Sequence, residues 1–199
     1  MTSGKIFYMS KTYRLIPLID LNIETQLQVL EIRNEEHIRK WLFTENLISV
    51  EDHFAWIEQL KNDKSQMCYI IINKEDQPLG AVNIKNIDKK NEIAELGFYK
   101  NQNINEKGLM TKSLSTAIDY SFDVLGLEKI YSEVFEGNTK SLAIHKRLLF
   151  LEEGFMRSHK IKGGRRIGVH LFGLLKDEWK INKEKINIRN DIHVEINNV

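Results

Sequence analysis

Cysteine and proline are almost absent from this chain, and so are long apolar runs and any excess of one charge. A single cysteine excludes an internal disulfide framework. Cys68 lies in the run Met67-Cys68-Tyr69-Ile70-Ile71-Ile72 and reads as a reduced, buried small hydrophobe. Of the two prolines, Pro17 argues for a strand edge or end, and Pro78 closes a turn. No apolar stretch approaches a membrane span and the N-terminus has no signal-peptide core, so a cytoplasmic location is expected. Lys and Arg number 29 against 28 Asp and Glu, a net charge of +1. That balance supplies no global basic field to recruit nucleic acid, so a polyanion would have to be held at a local site.

What is present is globular: 199 residues, 42% hydrophobic and 29% charged, enough for one domain with a substantial core. Met1 to Ser10 carry no pattern and read as a leader. Thr12 to Ile19 alternates as a first strand. Asp20 and Asn22 are cap candidates for a helix carrying Leu27, Leu30 and Ile32. A short helical piece, Glu36 to Phe43, follows. Ser49 then caps a third helix, with Phe54, Ile57 and Leu60 on one side and Glu51 and Asp52 in its first turn. Met67 to Asn73 is nearly all apolar, as a central strand covered on both faces would be. Glu75 to Pro78 turns the chain into a strand from Leu79 to Asp88.

The organising stretch runs from Glu92 to Asn138. A strand, Ile93 to Tyr99, ends in a polar turn. Gly108 then opens a helix whose apolar positions Met110, Leu114, Ala117, Ile118, Phe122 and Leu125 keep the helical period. A second strand, Lys129 to Phe135, leads to Asn138, a fitting N-cap. A turn that delivers free backbone N–H groups to a helix start can hold a pyrophosphate, with Lys107 and Lys112 adding charge. Gly97 inside the strand suggests a bulge or a ligand running against the backbone. The alternative is an ordinary βαβ unit. The helix after Asn138 runs to about Phe150. Leu151 to Ile161 and Arg166 to Lys176 then form a hairpin about Gly163-Gly164, and the polar tail from Ile181 to Val199 is expected to pack weakly or not at all. The order of elements gives an α/β fold, a mixed sheet with helices on both faces.

In these residues the sequence resembles the GNAT acetyltransferase superfamily. The family's phosphate signature, Gln/Arg-x-x-Gly-x-Gly/Ala, corresponds to Asn105-Glu106-Lys107-Gly108-Leu109-Met110, with Asn105 and Met110 departing from it. Within the superfamily the likeness is closest to the N-acetyltransferases of pseudaminic acid biosynthesis, which acetylate the 4-amino group of a UDP-linked dideoxy sugar (UDP-4-amino-4,6-dideoxy-N-acetyl-beta-L-altrosamine). It is carried by Val29 to Asn34, Ile38 to Phe43, His53, Leu96 to Asn101, Glu133 to Asn138 and Leu171 to Trp179.

The resemblance implies a GNAT domain over residues 12–179, flanked by a leader (1–11) and a tail (180–199), with about seven strands and a V-shaped splay between the fourth and fifth. It implies acetyl-CoA as cosubstrate, no metal, no nucleic acid and no membrane, and a homodimer is compatible with it. Backbone groups of Leu96, Gly97, Phe98 and Tyr99 would pair with the pantetheine arm. Amides of Lys107, Gly108, Leu109, Met110, Thr111 and Lys112 would hold the pyrophosphate, and Asn138 would touch the pantetheine from the far side. Arg33, Phe43, His53, Trp56 and Lys85 would form the nucleotide-sugar pocket.

Amide formation needs a neutral amine, a route for its proton and an acid for the departing thiolate. Glu133 shares a strand face with Tyr131 and Phe135, a setting that suits a base acting directly or through water; a partnered structural carboxylate is the alternative. Asn83 on the neighbouring strand would orient that water, or simply bond locally. Seven residues after Asn138, where the family has a tyrosine, stands His145. An imidazolium there is a competent acid for a thiolate, and the alternative is a helix-surface histidine. His37, His159, His170 and His193 show no metal-ligand spacing and receive no role. The basic hairpin Arg157, Lys160, Lys162, Arg165 and Arg166 is a solvated face or a contact for a diphosphate. Two rivals stand beside a UDP-sugar acetyltransferase: the same chemistry on another amine, such as a protein N-terminus or polyamine, and a non-catalytic acyl-CoA-binding module.

Overall fold

The computed structural model describes residues 11–186 and 192–197, so the expected leader lies outside the described residues except for Lys11. Strand β1 (Lys11–Pro17) ends at its proline and passes through a short 3-10 turn to α1 (Ile23–Asn34), which Asn22 caps by accepting the Thr25 N–H at 2.8 Å. After α2 (Glu36–Arg39), Ser49 caps α3 (Val50–Leu60), accepting the Asp52 N–H at 3.0 Å. Strands β2 (Met67–Ile72), β3 (Pro78–Asp88) and β4 (Ile93–Lys100) then run antiparallel to one another. The helix α4 (Leu109–Asp123), β5 (Lys129–Phe135), α5 (Thr139–Arg147), β6 (Leu151–Lys162) and β7 (Arg165–Leu175) follow. Gly163 and Gly164, with φ of 53° and 75°, give the β6–β7 hairpin the two positive-φ residues that match strand twist. Last come α6 (Lys176–Asn182) and β8 (Ile192–Ile196), which completes a single mixed sheet of order β6-β7-β5-β4-β3-β2-β1-β8.

The apolar run in β2 is continuous because it feeds two cores. Tyr69 and Ile71 join Val82, Leu96, Leu114, Ile118 and Val134 under α4, while Cys68, Ile70 and Ile72 join Val29, Ile57 and Leu60 under α1 and α3. Burial pushes the Cys68 thiol up to about 12, so it stays an inert small hydrophobe.

The eight strands agree with the expected fold of about seven, the additional one coming from the tail. Three expectations are corrected, the first being that the tail packs weakly or not at all. Ile192 and Val194, alternating with His193 and Glu195, are 1% and 5% exposed, and β8 pairs in parallel with β1. Tail residues through Asn182 are helical in α6, where Trp179 is buried and its Nε1–H donates to Asp119 at 2.8 Å. The helical piece expected to reach Phe43 stops at Arg39. The Arg39 guanidinium bonds the Asn34 and Glu45 carbonyls and draws the chain out of the helix. Gly97 is no bulge: it pairs with Asn83 in regular register, and the irregularity lies between Lys85 and Asp88, where Asn86 has φ of 51°.

Candidate active site

The feature that makes a site is a failure of pairing. Strands β4 and β5 are bonded in parallel only at Ile93–Lys129, Ala94–Ile130 and Glu95–Tyr131; beyond Glu95 they separate, while β5 stays paired with β7 along its whole length. The Ser132 hydroxyl donates to the Leu96 carbonyl at 2.7 Å and bridges the fork at its root. Above it opens a cleft of about 640 Å³ that runs from the polar turn before α4, past Leu96 to Lys100 and Glu133 to Phe135, to the α2 end loop.

On the β4 side, alternation along the strand decides which backbone groups face the opening. The Leu96 carbonyl meets Ser132 across the fork, so Phe98, two residues on, also directs its N–H and C=O into the splay, whereas Gly97 and Tyr99 pair toward β3. Gly108 caps α4 at φ of 86°, and the N–H groups of Leu109, Met110 and Thr111 have no acceptor within the helix, as at any helix start. The first ladder bond there is from Lys112 N–H to the Gly108 carbonyl, 3.0 Å. Leu96 to Tyr99, Met110 and Asn138 line the cleft; Lys107, Gly108, Leu109, Thr111 and Lys112 flank it at the α4 end. Asn138 caps α5 through Oδ1 alone, accepting the Ser141 N–H at 3.3 Å. Free helix N–H groups beside a strand edge with unused donors and acceptors suit a ligand that carries phosphates at one end and amides along its arm.

The opposite wall is formed by side chains that alternate onto one sheet face. Glu133 lines the cleft, and its carboxylate makes no hydrogen bond or ion pair among the described residues. Glu95, which pattern reading missed, lies on the same face at the last β4–β5 pair. It accepts from Lys85 Nζ at 2.8 Å and Asn86 Nδ2 at 2.9 Å. Period-two alternation with Gly97 and Tyr99 is the signal that would have found it. Asn83 pairs with Gly97 one step behind this wall and does not line the cleft.

Of the residues assigned to the acceptor pocket, Phe43 and Lys85 line the cleft; Arg33, His53 and Trp56 do not. Phe43 packs on Phe135 with ring centres 4.6 Å apart, and Lys160 stands over the Phe43 ring at 5.4 Å. Lys162 anchors this end: it donates to the Leu42 carbonyl, pairs with Glu45 at 3.1 Å and covers Phe135. His53 is instead buried between α1 and α3, bonded to the Gln26 carbonyl at 3.0 Å, with Trp56 6.2 Å away by ring centres. Arg33 lies behind α2, donating to the Thr44 carbonyl at 3.3 Å. Burial lowers its pKa, and the nearby Tyr99 offsets part of that.

His145 is no surface residue. It is 3% exposed and enclosed by Phe98, Phe150 and Phe172, with the Phe172 ring stacked 5.1 Å away. Its Nδ1 lies 2.8 Å from the Ser141 carbonyl, so Nδ1 carries the proton and donates. Burial among aromatic rings lowers its pKa from the ordinary 6.5, and the Ser141 carbonyl opposes this only in part. The expected standing imidazolium is therefore corrected to a neutral ring. His53 is also held low by burial, against the Gln26 carbonyl. Each ring takes up its proton more readily in the unfolded chain, so the stability that depends on them is complete above about pH 6.5 and is lost as pH falls. Replacing His145 by Phe should flatten the fall in Tm between about pH 7 and about pH 5. Thermal melts across that range check it; a slope equal to the wild type's would mean that the ring is not held neutral.

A sheet forked between parallel strands, with a helix start at one end of the fork, agrees with the acetyltransferase fold that the sequence resemblance implies. Residues 19–150 match the acetyltransferase (GNAT) domain family, and the chain belongs to that family. It is an acetyl-CoA-dependent N-acetyltransferase. It is 29% identical over 174 residues to the putative ribosomal N-acetyltransferase YdaF of Bacillus subtilis, covering 83% of this chain and 92% of that protein. It is 26% identical over 128 residues to the acetyltransferase PseH of Campylobacter jejuni, covering 64% and 78%. Among solved structures, a spermidine N-acetyltransferase from Vibrio cholerae in complex with CoA and spermine shares the fold. Its TM-score is 0.77 at 22% identity, covering 86% of this chain and 98% of that one.

Proposed function

We propose that this enzyme acetylates the 4-amino group of a UDP-linked amino-dideoxy sugar. The supporting observation is the charge at the acceptor end of the cleft. Lys40 and Lys85 line it, Lys160 stands over Phe43, and among the described residues the lining carboxylates there are Glu133 and Glu95, the latter already paired with Lys85. A polyamine site needs several unpaired carboxylates; a diphosphate needs cations, and a uracil ring needs flat apolar faces such as Trp41, Phe43 and Phe135. The resemblance of Leu96 to Asn101 and Glu133 to Asn138 to the pseudaminic acid acetyltransferases points the same way.

In this reading Glu133 takes the proton of the acceptor amine, directly or through a water. The amine nitrogen attacks the thioester carbonyl, the C–N bond forms, and the C–S bond breaks without a covalent enzyme intermediate. Phe98 aligns the pantetheine arm by its backbone, the Leu109 to Thr111 amides receive the diphosphate, and Asn138 closes the far side. A homodimer is compatible with this scheme, which needs one chain only.

Thiol release measured with UDP-4-amino sugars, spermidine and peptides with free N-termini tests the proposal. A UDP-linked amino sugar should be the best acceptor, with UDP alone competing. Faster turnover of spermidine or a peptide, unaffected by UDP, would replace it. The double variant Lys40→Glu, Lys160→Glu should raise KM for the UDP-sugar about tenfold with little change in kcat, read from initial rates.

A further inference from the structure

The two edges of the sheet are built differently. At one end β6 has its register broken between Glu152 and Gly154 and again between Met156 and Lys160. It carries Ser158 at φ of 52° and exposes Arg157 and Lys160. Bulges and like charges keep a further strand from adding to such an edge. At the other end β8 has none of these devices. Its register with β1 is unbroken from Ile192 to Ile196, and among the described residues no strand lies beyond it. One bond shows which of its backbone groups face outward: the Asn197 N–H donates to the Leu15 carbonyl of β1 at 3.0 Å. Backbone groups alternate sides along a strand, so His193 and Glu195 also turn theirs to β1. Ile192, Val194 and Ile196 turn N–H and C=O away from it. The Val194 carbonyl accepts from the Thr116 hydroxyl at a long 3.5 Å, and a carbonyl oxygen can take a second donor.

We propose that β8 is a docking edge for a second copy of this chain, joined antiparallel about a two-fold axis through Val194. The strand is complementary to itself about that residue. With Val194 opposite the partner's Val194, Ile192 falls opposite the partner's Ile196 and His193 opposite the partner's Glu195. The outward-turned residues then make the hydrogen-bonded pairs of an antiparallel ladder. His193 and Glu195 take the non-bonded pairs, where side chains approach most closely. Sliding the partner to the next register that keeps the outward groups in phase sets the two imidazoles, or the two carboxylates, against each other. Opposite charges across a ladder stabilise and like charges destabilise, so charge selects the central register. In the single chain these side chains are exposed and meet only along their own strand, His193 Nε2 to Glu195 Oε1 at 3.2 Å. The apolar side chains lie on the opposite face, in the core beneath α4. Ile192 and Val194 are buried there already, and half-buried Ile196 gains cover from the partner's Ile192. The contact uses the same strand on both copies, so it closes at a dimer. None of this depends on which amine the enzyme acetylates.

Sedimentation equilibrium of the full chain tests this. The strand pair is short, so a reversible dimer should build up as concentration rises from about 1 to about 500 µM. His193→Glu sets carboxylates opposite one another on both sides of the axis and should weaken dimerisation about tenfold. The swap His193→Glu, Glu195→Lys restores opposite charges at both places and should recover the wild-type affinity. Both side chains are exposed in the single chain, so the variants should melt with the wild type at dilute concentration, which separates lost pairing from lost folding. Amide exchange reads the register. The Val194 and Ile196 N–H groups should become protected as concentration rises, whereas the Glu195 N–H, turned to β1, is protected throughout. A chain that stays monomeric across this range would overturn the proposal. So would a dimer that His193→Glu leaves intact, since it would lie on another face, or one in which Val194 exchange ignores concentration.

Discussion

Glu133→Gln is expected to lower kcat about a hundredfold while leaving coenzyme affinity unchanged. The carboxylate lines the cleft on the acceptor face and is not engaged in any hydrogen bond or ion pair among the described residues, so glutamine breaks no structural contact. In the proposed mechanism it removes the group that takes the amine proton. Because an amine is already partly neutral at high pH, the deficit should shrink as pH rises toward the amine's own pKa. Initial rates across pH measure this. A variant with wild-type kcat would return Glu133 to a structural part. Glu95 is the contrasting control: it is bonded to Lys85 and Asn86, so Glu95→Gln should act on acceptor KM more than on kcat.

Trp179→Ala carries the largest expected loss of stability, about 3–5 kcal/mol. The side chain is 1% exposed, packs in the core beneath α4, and donates from Nε1 to Asp119, which Lys183 also reaches at 3.0 Å. Truncation opens a cavity and strips Asp119 of its indole partner at once. Because α4 supplies the helix start proposed to receive the diphosphate, the same change should weaken coenzyme binding as well as lower the denaturant midpoint. A midpoint within experimental error of the wild type would show that α6 packs loosely on the sheet. Trp179 is the last residue of the domain proposed from sequence, yet the chain beyond it completes α6 and supplies β8, whose Val194 carbonyl accepts from Thr116 of α4 at 3.5 Å.

The elements around the cleft were legible because their signals are local. Alternation marks β4 and β5, the helical period marks α4, and Asn22, Ser49 and Asn138 each cap the helix they precede. The fork itself is not local, since it depends on β5 choosing β7 over its parallel neighbour; it entered through the family resemblance. β8 was missed because five residues within a polar tail alternate too briefly to stand out, and their burial depends on a vacant edge of β1 that no local pattern reports. His145 was placed on the right helix, but its charge state was not readable. Phe98 of β4, Phe150 after α5 and Phe172 of β7 set it, and two of the three are distant in sequence. His53 and Trp56 fail to reach the cleft for a similar reason, since the face of α3 they occupy packs toward α1.

Hydrogen exchange on the amides of the fork tests the central claim most directly. With acetyl-CoA or coenzyme A bound, the Phe98 N–H on β4 and the Leu109, Met110 and Thr111 N–H groups at the start of α4 should become protected together, as the arm and the diphosphate take up the donors that the sheet and helix leave unused. Unchanged exchange at all four while the protein turns over acetyl-CoA would place the coenzyme elsewhere and contradict this account of the cleft.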